Sequence, residues 1–308
     1  MSEERPGGGV NQSEFLALVG DLRPELHRYC ARLTGSVMDG EDVVQDSLAS
    51  AFVALKTLEA APSMRAWLFR IAHNRALDLL RSRALRVTEP LEAAAETPDS
   101  QAADPLEALM RQEAVRTAVS RFAELPTAQR SVVILKDVLG HSLEDIAALL
   151  DTTVNAVKGH LARGRSRLKE INAQTPPRPA DRSRSPEVAR FVSLFNQRDW
   201  EGLRALLAHD VKLKQSSHPV RVGAADVGMF FTIYAKMDHV SLSPAWLEGR
   251  EVVAVYEDRA DPKPSYIMWL DWRDGQISLI RDTRYVRYVL ADVDLALEDG
   301  PPGRVGGA

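Results

Sequence analysis

Apolar residues recur at intervals of three and four through the first 170 positions, and the pattern turns to alternation beyond about 211. In "GEDVVQDSLASAFVALKTL" the residues Val43, Val44, Leu48, Ala51, Phe52 and Leu55 form one stripe, which predicts a helix with a single buried side. Asp39 is placed to cap it, with Asp42 as a capping-box-like partner. Glu41, Asp42, Gln45, Asp46 and Ser50 are left for the outside. Upstream, Pro24 suits the first turn of a helix through "PELHRYCARLTG", and Gly35 suits the residue after its end. A third helix is expected from Ser63. It buries Trp67 or Leu68, Ile71, Leu77 and Leu80, and displays Arg65, Arg70, His73, Asn74, Arg81 and Arg83. One helix thus carries an acidic, amide-bearing face and the next a basic one.

The same periodicity returns after residue 106. "LPTAQRSVVILKDVLG" has Pro126 near a helix start and Gly140 as a stop. Ser142 and Asp145 form a capping box before "LEDIAALL", and Thr153 is placed to cap the following segment after a tight "DTT" turn. Two short helices joined in this way predict a helix-turn-helix. In the second of them Val154, Val157, Leu161, Leu168 and Ile171 face the core. Asn155, Lys158, Ala162, Arg165 and Lys169 lie on another stripe, flanked by His160, Arg163 and Arg167.

Residues 187–296 read differently. "PEVARFVSLFNQRDWEGLRALLAHDVKLKQ" predicts one or two amphipathic helices and a strand from Val211, and "GAADVGMFFTIYA" another helix. "HVSLSPAWL", "EVVAVYED", "SYIMWLDWRDG" and "QISLIRDTRY" then alternate as strands, the last two joined by an Asp-Gly turn.

Composition narrows the class. The 308 residues predict two or three domains, and 45% hydrophobic with 27% charged residues describes a globular chain. No apolar run has membrane-spanning length and the N-terminus lacks a signal-peptide layout, so a cytoplasmic location with no membrane partner is expected. The single Cys30 excludes an internal disulfide and any cysteine-cluster zinc site; it is expected to be a buried, inert thiol, and no cofactor or metal is expected. The net charge of −4 argues against general nucleic-acid binding. Yet residues 152–171 hold five Lys and Arg side chains against only Glu170. Asn, Lys and Arg at the start of a recognition helix donate to purine edges, and cations further along neutralise phosphates. A local DNA footprint on Thr153, Asn155, Lys158, His160, Arg163, Arg165 and Arg167 follows, with a solvated basic face as the alternative.

"LPTAQR", "HSLEDIAALL" and "NAVKGHLARGRSRL", preceded by "RLTGSVMDGEDVVQDSLASAF" and "APSMRAWLFRIAHNRALDLLR", resemble the extracytoplasmic-function (ECF) sigma factors of bacterial RNA polymerase. The resemblance implies an all-α region 2 over 11–86, an acidic linker over 87–105, and a region 4 helix-turn-helix over 106–172. A Pro/Arg/Ser linker over 173–186 follows. Core RNA polymerase and promoter DNA are the implied partners. Glu41, Asp42, Gln45 and Asp46 match the polymerase-docking face. Arg65, Arg70, His73, Asn74 and Arg81 match the segment at the downstream promoter element that assists melting, and the loop 58–64 matches the base-reading loop.

"FNQRDWEGLRALLAHDV" and "WRDGQISLIRDTRY" resemble a SnoaL-like (nuclear-transport-factor-like) α+β cone over 187–296, with a flexible tail over 297–308. The implied fold is multidomain, two all-α sigma modules plus an α+β domain that modulates activity. Asp210, His218, Tyr234, Trp246, Tyr256, Trp269 and Asp282 are candidates to line a cone pocket for an unknown small ligand. The reading is a sigma factor and not an enzyme. The alternatives are a helix-turn-helix activator that is not a sigma subunit, and an isomerase or cyclase activity in the cone.

Overall fold

The computed structural model describes residues 12–55, 63–84, 105–174, 184–216, 218–258, 261–291, 293 and 295–297. The base-reading loop (apart from its end), almost all of the acidic linker, most of the second linker and nearly all of the tail lie outside the described residues. The chain divides into two compact units, Met1–Pro176 and Pro177–Ala308.

The first unit is helical: α1 (Gln12–Thr34), α2 (Val37–Ala54), α3 (Met64–Ala84), α4 (Pro105–Arg116), α5 (Thr127–Val133), α6 (Leu143–Leu150) and α7 (Val154–Ala173). Gly35 ends α1 in the left-handed conformation (φ +76°), as its position predicts. Two boundaries differ from expectation. Pro24 sits inside α1 on its exposed side, not in its first turn. The lost backbone hydrogen bond there is offset by the burial of Phe15 and Leu22 on the preceding turns. The cap of α2 is Ser36, whose hydroxyl accepts from the Asp39 N–H at 3.4 Å. Asp39 instead lies in the first turn, where the helix dipole favours a carboxylate, and takes Arg83 Nη1 at 2.7 Å. Gly40 is required by a close approach: a Cβ there would lie 2.5 Å from the Ala31 backbone. Helices α1 and α2 therefore touch main chain to main chain.

On α3 the buried residues are Leu68, Phe69, Ala72 and Ala76, while Trp67, Ile71, Leu77 and Leu80 stay half-buried. The small side chains at 72 and 76 allow close packing on that side, so the contact stripe shifts from the bulkier leucines. After α5 the chain does not run on as one α-helix to Gly140. It widens into a π turn over Ile134–Val138 before Gly140 (φ +78°) stops it. Helices α1 to α7 each contribute to one apolar core, from Leu26, Tyr29 and Phe69 to Ala114, Leu135, Leu149, Val157 and Ile171. Arg130 ties its two halves together, donating to the carbonyls of Leu33, Ala123 and Leu125 at 2.7 Å each. Cys30 is buried in this core, and burial pushes its thiol well above the usual range.

The second unit is α+β. Helices α8 (Pro186–Asn196), α9 (Trp200–Ala205), α10 (Ala224–Gly228) and α11 (Phe230–Tyr234) accompany strands β1 (Leu207–Gln215), β2 (Arg221–Val222), β3 (Ser241–Leu247), β4 (Arg250–Tyr256), β5 (Tyr266–Arg273), β6 (Gln276–Asp282) and β7 (Leu295–Leu297). Ser185 caps α8, with Pro186 at its start. The strand order is β2-β1-β6-β5-β4-β3-β7. One pair in the otherwise antiparallel sheet differs: β1 lies parallel to β6. Register shifts in the β1–β6 and β5–β6 pairs bend the sheet. Asp274 and Gly275, both at positive φ, form the predicted hairpin turn. The helices cover one face, where Phe191, Phe195, Phe231 and Tyr234 pack with Leu213, Val253, Val255 and Ile280. Among the described residues no helix is long and apolar enough to cross a membrane.

Candidate nucleic-acid interface

The helix-turn-helix is assembled by local chemistry. The Ser142 hydroxyl accepts from the Asp145 N–H at 3.0 Å and donates to the Asp145 carboxylate at 2.7 Å. Asp151 closes α6 in the left-handed conformation, and Thr153 Oγ1 then accepts from the Ala156 N–H at 3.2 Å to start α7. Val157, Leu161, Leu168 and Ile171 face the core as their spacing predicts. Gly164 lies among them, because a Cβ there would be 2.6 Å from Val133 Cγ2 on α5.

The polar side of α7 is not uniform. Thr153, Asn155 and Arg167 are exposed, and Lys158, His160 and Arg163 are half-buried. Arg167 pairs with Glu170 at 2.9 Å on the surface. Arg165 is held differently: its Nε and Nη2 donate to the two carboxylate oxygens of Asp137 at 2.9 and 2.6 Å. Asp137 is buried, and it reaches α7 from the π turn. Arg165 therefore fastens α7 to its support, a role that the α7 sequence alone does not reveal because the partner lies 28 positions away.

The basic side of α3 is also engaged. Arg65 pairs with Glu25 and lies over the Phe69 ring, and Arg81 pairs with Asp78 at 3.2 Å. Arg70 donates to the Ala148 carbonyl of α6 at 2.7 Å. The Tyr29 hydroxyl lies 2.7 Å from His73 Nδ1. Burial, assisted by Arg81, lowers the pKa of His73 to about 4, so the ring is neutral at physiological pH. Asn74 is open to solvent.

On α2, Asp46 is exposed and Asp42 and Gln45 are half-buried, but Glu41 is not on the outside as expected. It is buried, because Arg23 of α1 reaches it at 2.6 Å. Buried charge is retained where it is paired in this way.

In the second unit the pocket candidates do not converge on one point. The alternation of β5 puts Tyr266 and Met268 on the helix-covered face and Trp269 on the opposite one, where its indole donates to Asp271 and Arg250 stacks at 4.0 Å. Asp210 is a surface residue paired with Arg273. His218 stacks on Tyr285 at 4.2 Å, and the indole nitrogen of Trp246 is buried without a partner among the described residues. The Tyr256 hydroxyl is likewise buried and unpaired among them.

Tyr234 and Asp282, both named from sequence, belong to a buried polar cluster whose other members, Tyr266, Gln215 and Arg284, local pattern did not mark. Tyr234 and Tyr266 share a hydrogen bond of 2.7 Å, and Asp282 accepts from the Gln215 amide at 2.7 Å and the Arg284 N–H at 2.9 Å. Burial nonetheless raises the Asp282 carboxyl to about 6. The folded unit then binds more protons than the unfolded chain between about pH 4 and 6, so this residue's contribution to stability falls as pH rises through that window and is level above it. Asp282→Asn is expected to stabilise the unit at pH 7.5 by about 1–3 kcal/mol and by little at pH 4. Urea unfolding at the two pH values measures this, and equal effects at both would show a well-solvated carboxylate.

Residues 18–86 match Sigma-70 region 2, and residues 116–168 match Sigma-70, region 4. The chain is 31% identical over 224 residues to the ECF RNA polymerase sigma factor SigG of Mycobacterium tuberculosis (strain ATCC 25618 / H37Rv). That alignment takes in 62% of this chain and spans 58% of SigG's length. It is 34% identical over 151 residues to the ECF RNA polymerase sigma factor SigM of the same strain, covering 48% of this chain and 71% of SigM. The crystal structure of M. tuberculosis extracytoplasmic function sigma factor SigJ aligns over 87% of this chain and 95% of that one, at 21% identity and a TM-score of 0.34. With region 2 and region 4 in order on one chain, and a relative at this identity covered over more than two thirds of its length, the chain belongs to the ECF sigma factors of RNA polymerase.

Proposed function

We propose that this chain binds core RNA polymerase through α2, recognises promoter DNA through α7 and α3, and directs initiation in the cytoplasm. The observation that carries the reading is the division of surfaces within one helical unit. An exposed Asp46, flanked by Asp42 and Gln45, lies on one helix, and a doubly capped helix-turn-helix offers Thr153, Asn155 and Lys158 on another. Acidic side chains suit a basic docking partner, and donors at a recognition-helix start suit base edges. Asp42, Gln45 and Asp46 are assigned to the polymerase, with Glu41 positioning α2 from within. Thr153, Asn155, Lys158, His160, Arg163 and Arg167 are assigned to the upstream element, with Arg165 positioning α7 through Asp137. Arg65, Arg70, His73, Asn74 and Arg81 are assigned to the downstream element.

The second unit is assigned a regulatory role and no catalytic one. Its acidic residues support this: Asp210 is tied up at the surface, and Asp282 is sealed inside. Run-off transcription with core polymerase tests the scheme, comparing the full chain with a version ending at Pro176. A promoter-specific transcript from at least one version is expected, with a severalfold difference in yield between them. No specific transcript from either version overturns the promoter assignment. Equal yields overturn the regulatory role.

A further inference from the structure

A cavity of about 540 Å3 opens in the helical unit between α3, α5 and the helix-turn-helix. That volume is within the range of roughly 300–1,000 Å3 typical of small-molecule sites. It exists because α3 packs through Ala72 and Ala76, leaving Leu77 and Leu80 half-buried along one wall; Val132 and Leu150 form the other. Its polar lining side chains are hydroxyls and bases, and so share a bias. Among the described residues, the two charged side chains lining it are Arg81 and Arg130, and no carboxylate lines it.

Arg130 gives its hydrogen bonds to three main-chain carbonyls, which are neutral acceptors. Burial alone lowers its pKa to about 10, the behaviour of a guanidinium without an anion beside it. On the opposite wall, His160 Nδ1 is buried with no hydrogen-bond partner among the described residues. Burial and Arg163 both lower the pKa of that ring. A mostly apolar space rimmed by Arg81, whose partner Asp78 is an exposed surface carboxylate, with Arg130 uncompensated beside it and no carboxylate among the described lining residues, is complementary to an anion with an apolar body.

We infer that this cavity binds a small amphipathic monoanion, a carboxylate or sulfonate on an apolar body, held between Arg81, Arg130 and His160. Such a ligand bridges α3 and α7 and covers His73, Arg81 and His160. It is therefore an inhibitor of promoter engagement, a consequence that rests on the DNA assignment made above, whereas the binding itself does not.

The probe is anilinonaphthalene sulfonate, titrated by fluorescence against the full chain without DNA or polymerase. One saturable site is expected. Ala128→Phe fills the space and Arg81→Glu reverses the rim charge, so each should weaken binding about tenfold or more while circular dichroism is unchanged. If Ala128→Phe fails to fold, Thr152→Trp at the exposed mouth carries the same test. Several weak sites, or one site indifferent to the folded variants, overturn the proposal. Adding the probe to run-off transcription should lower the yield of the parent chain and spare Arg81→Glu relative to its own probe-free yield. Binding with unchanged parental yield overturns the inhibitory role alone, and a chain that gives no transcript leaves the binding result intact.

Discussion

Replacing Asp137 by alanine is expected to cost the helical unit about 3–5 kcal/mol, the scale set by removing one partner from a buried ion pair. The pair is bidentate and its carboxylate side chain is only 1% exposed, so Arg165 loses both carboxylate oxygens of Asp137 as acceptors and no solvent replaces them fully. Hydrogen exchange of the α7 amides, followed in the full chain, gives the readout. Their protection should drop by about two to three and a half orders of magnitude, following the conversion of about 1.4 kcal/mol per factor of ten. The double substitution Asp137→Leu with Arg165→Met should recover most of the loss, because the desolvation cost of both charges disappears with them. If Asp137→Ala leaves protection unchanged, the pair is solvated and does not hold α7 in place.

The second large effect concerns recognition itself. Lys158→Ala combined with Arg163→Ala should reduce promoter-dependent transcript yield about tenfold or more, with binding to core polymerase unchanged. Each cation that neutralises a phosphate contributes about one unit to the salt dependence of DNA binding, so the double variant should also show a shallower dependence by about two. Asn155→Ala belongs to a different class, since it removes a base-edge donor; about 1–3 kcal/mol of discrimination at one base pair should vanish with little change in salt dependence. Loss of polymerase binding by the Lys158/Arg163 variant would show that α7 faces the enzyme and not the promoter. Arg165→Ala is a poor substitute for these variants, because its transcription defect would track the stability loss.

The features that were legible in the sequence are those whose causes are local. The caps Ser142 and Thr153, the stops Gly35 and Gly140, and the Asp274-Gly275 turn all act within a few residues, and each is where the pattern places it. The core face of α7 is likewise set by its own periodicity. What escaped depends on partners distant in sequence. Glu41 reads as a solvent-facing acid until Arg23, 18 positions earlier, is brought beside it. Arg165 reads as a phosphate ligand until a π turn delivers Asp137. The parallel β1–β6 pair joins strands more than 60 residues apart, and alternation within either strand is the same for both directions of pairing. The cavity escaped for a related reason: Leu77 and Leu80 have the spacing of core residues, and only the smaller Ala72 and Ala76 decide which side of α3 closes.

The π turn also makes the helical unit sensitive to chain length at one place. A π turn is an α-helix carrying one extra residue, so deleting a single residue between Ile134 and Val138 would restore a regular helix. Every residue after the deletion would then be rotated by about 100° and withdrawn by about 1.5 Å relative to α5. Asp137 would turn away from Arg165, and Gly140 would no longer deliver the chain to Ser142 at the angle α6 requires. A substitution at these five positions changes one contact, whereas the loss of one of them re-aims the whole helix-turn-helix.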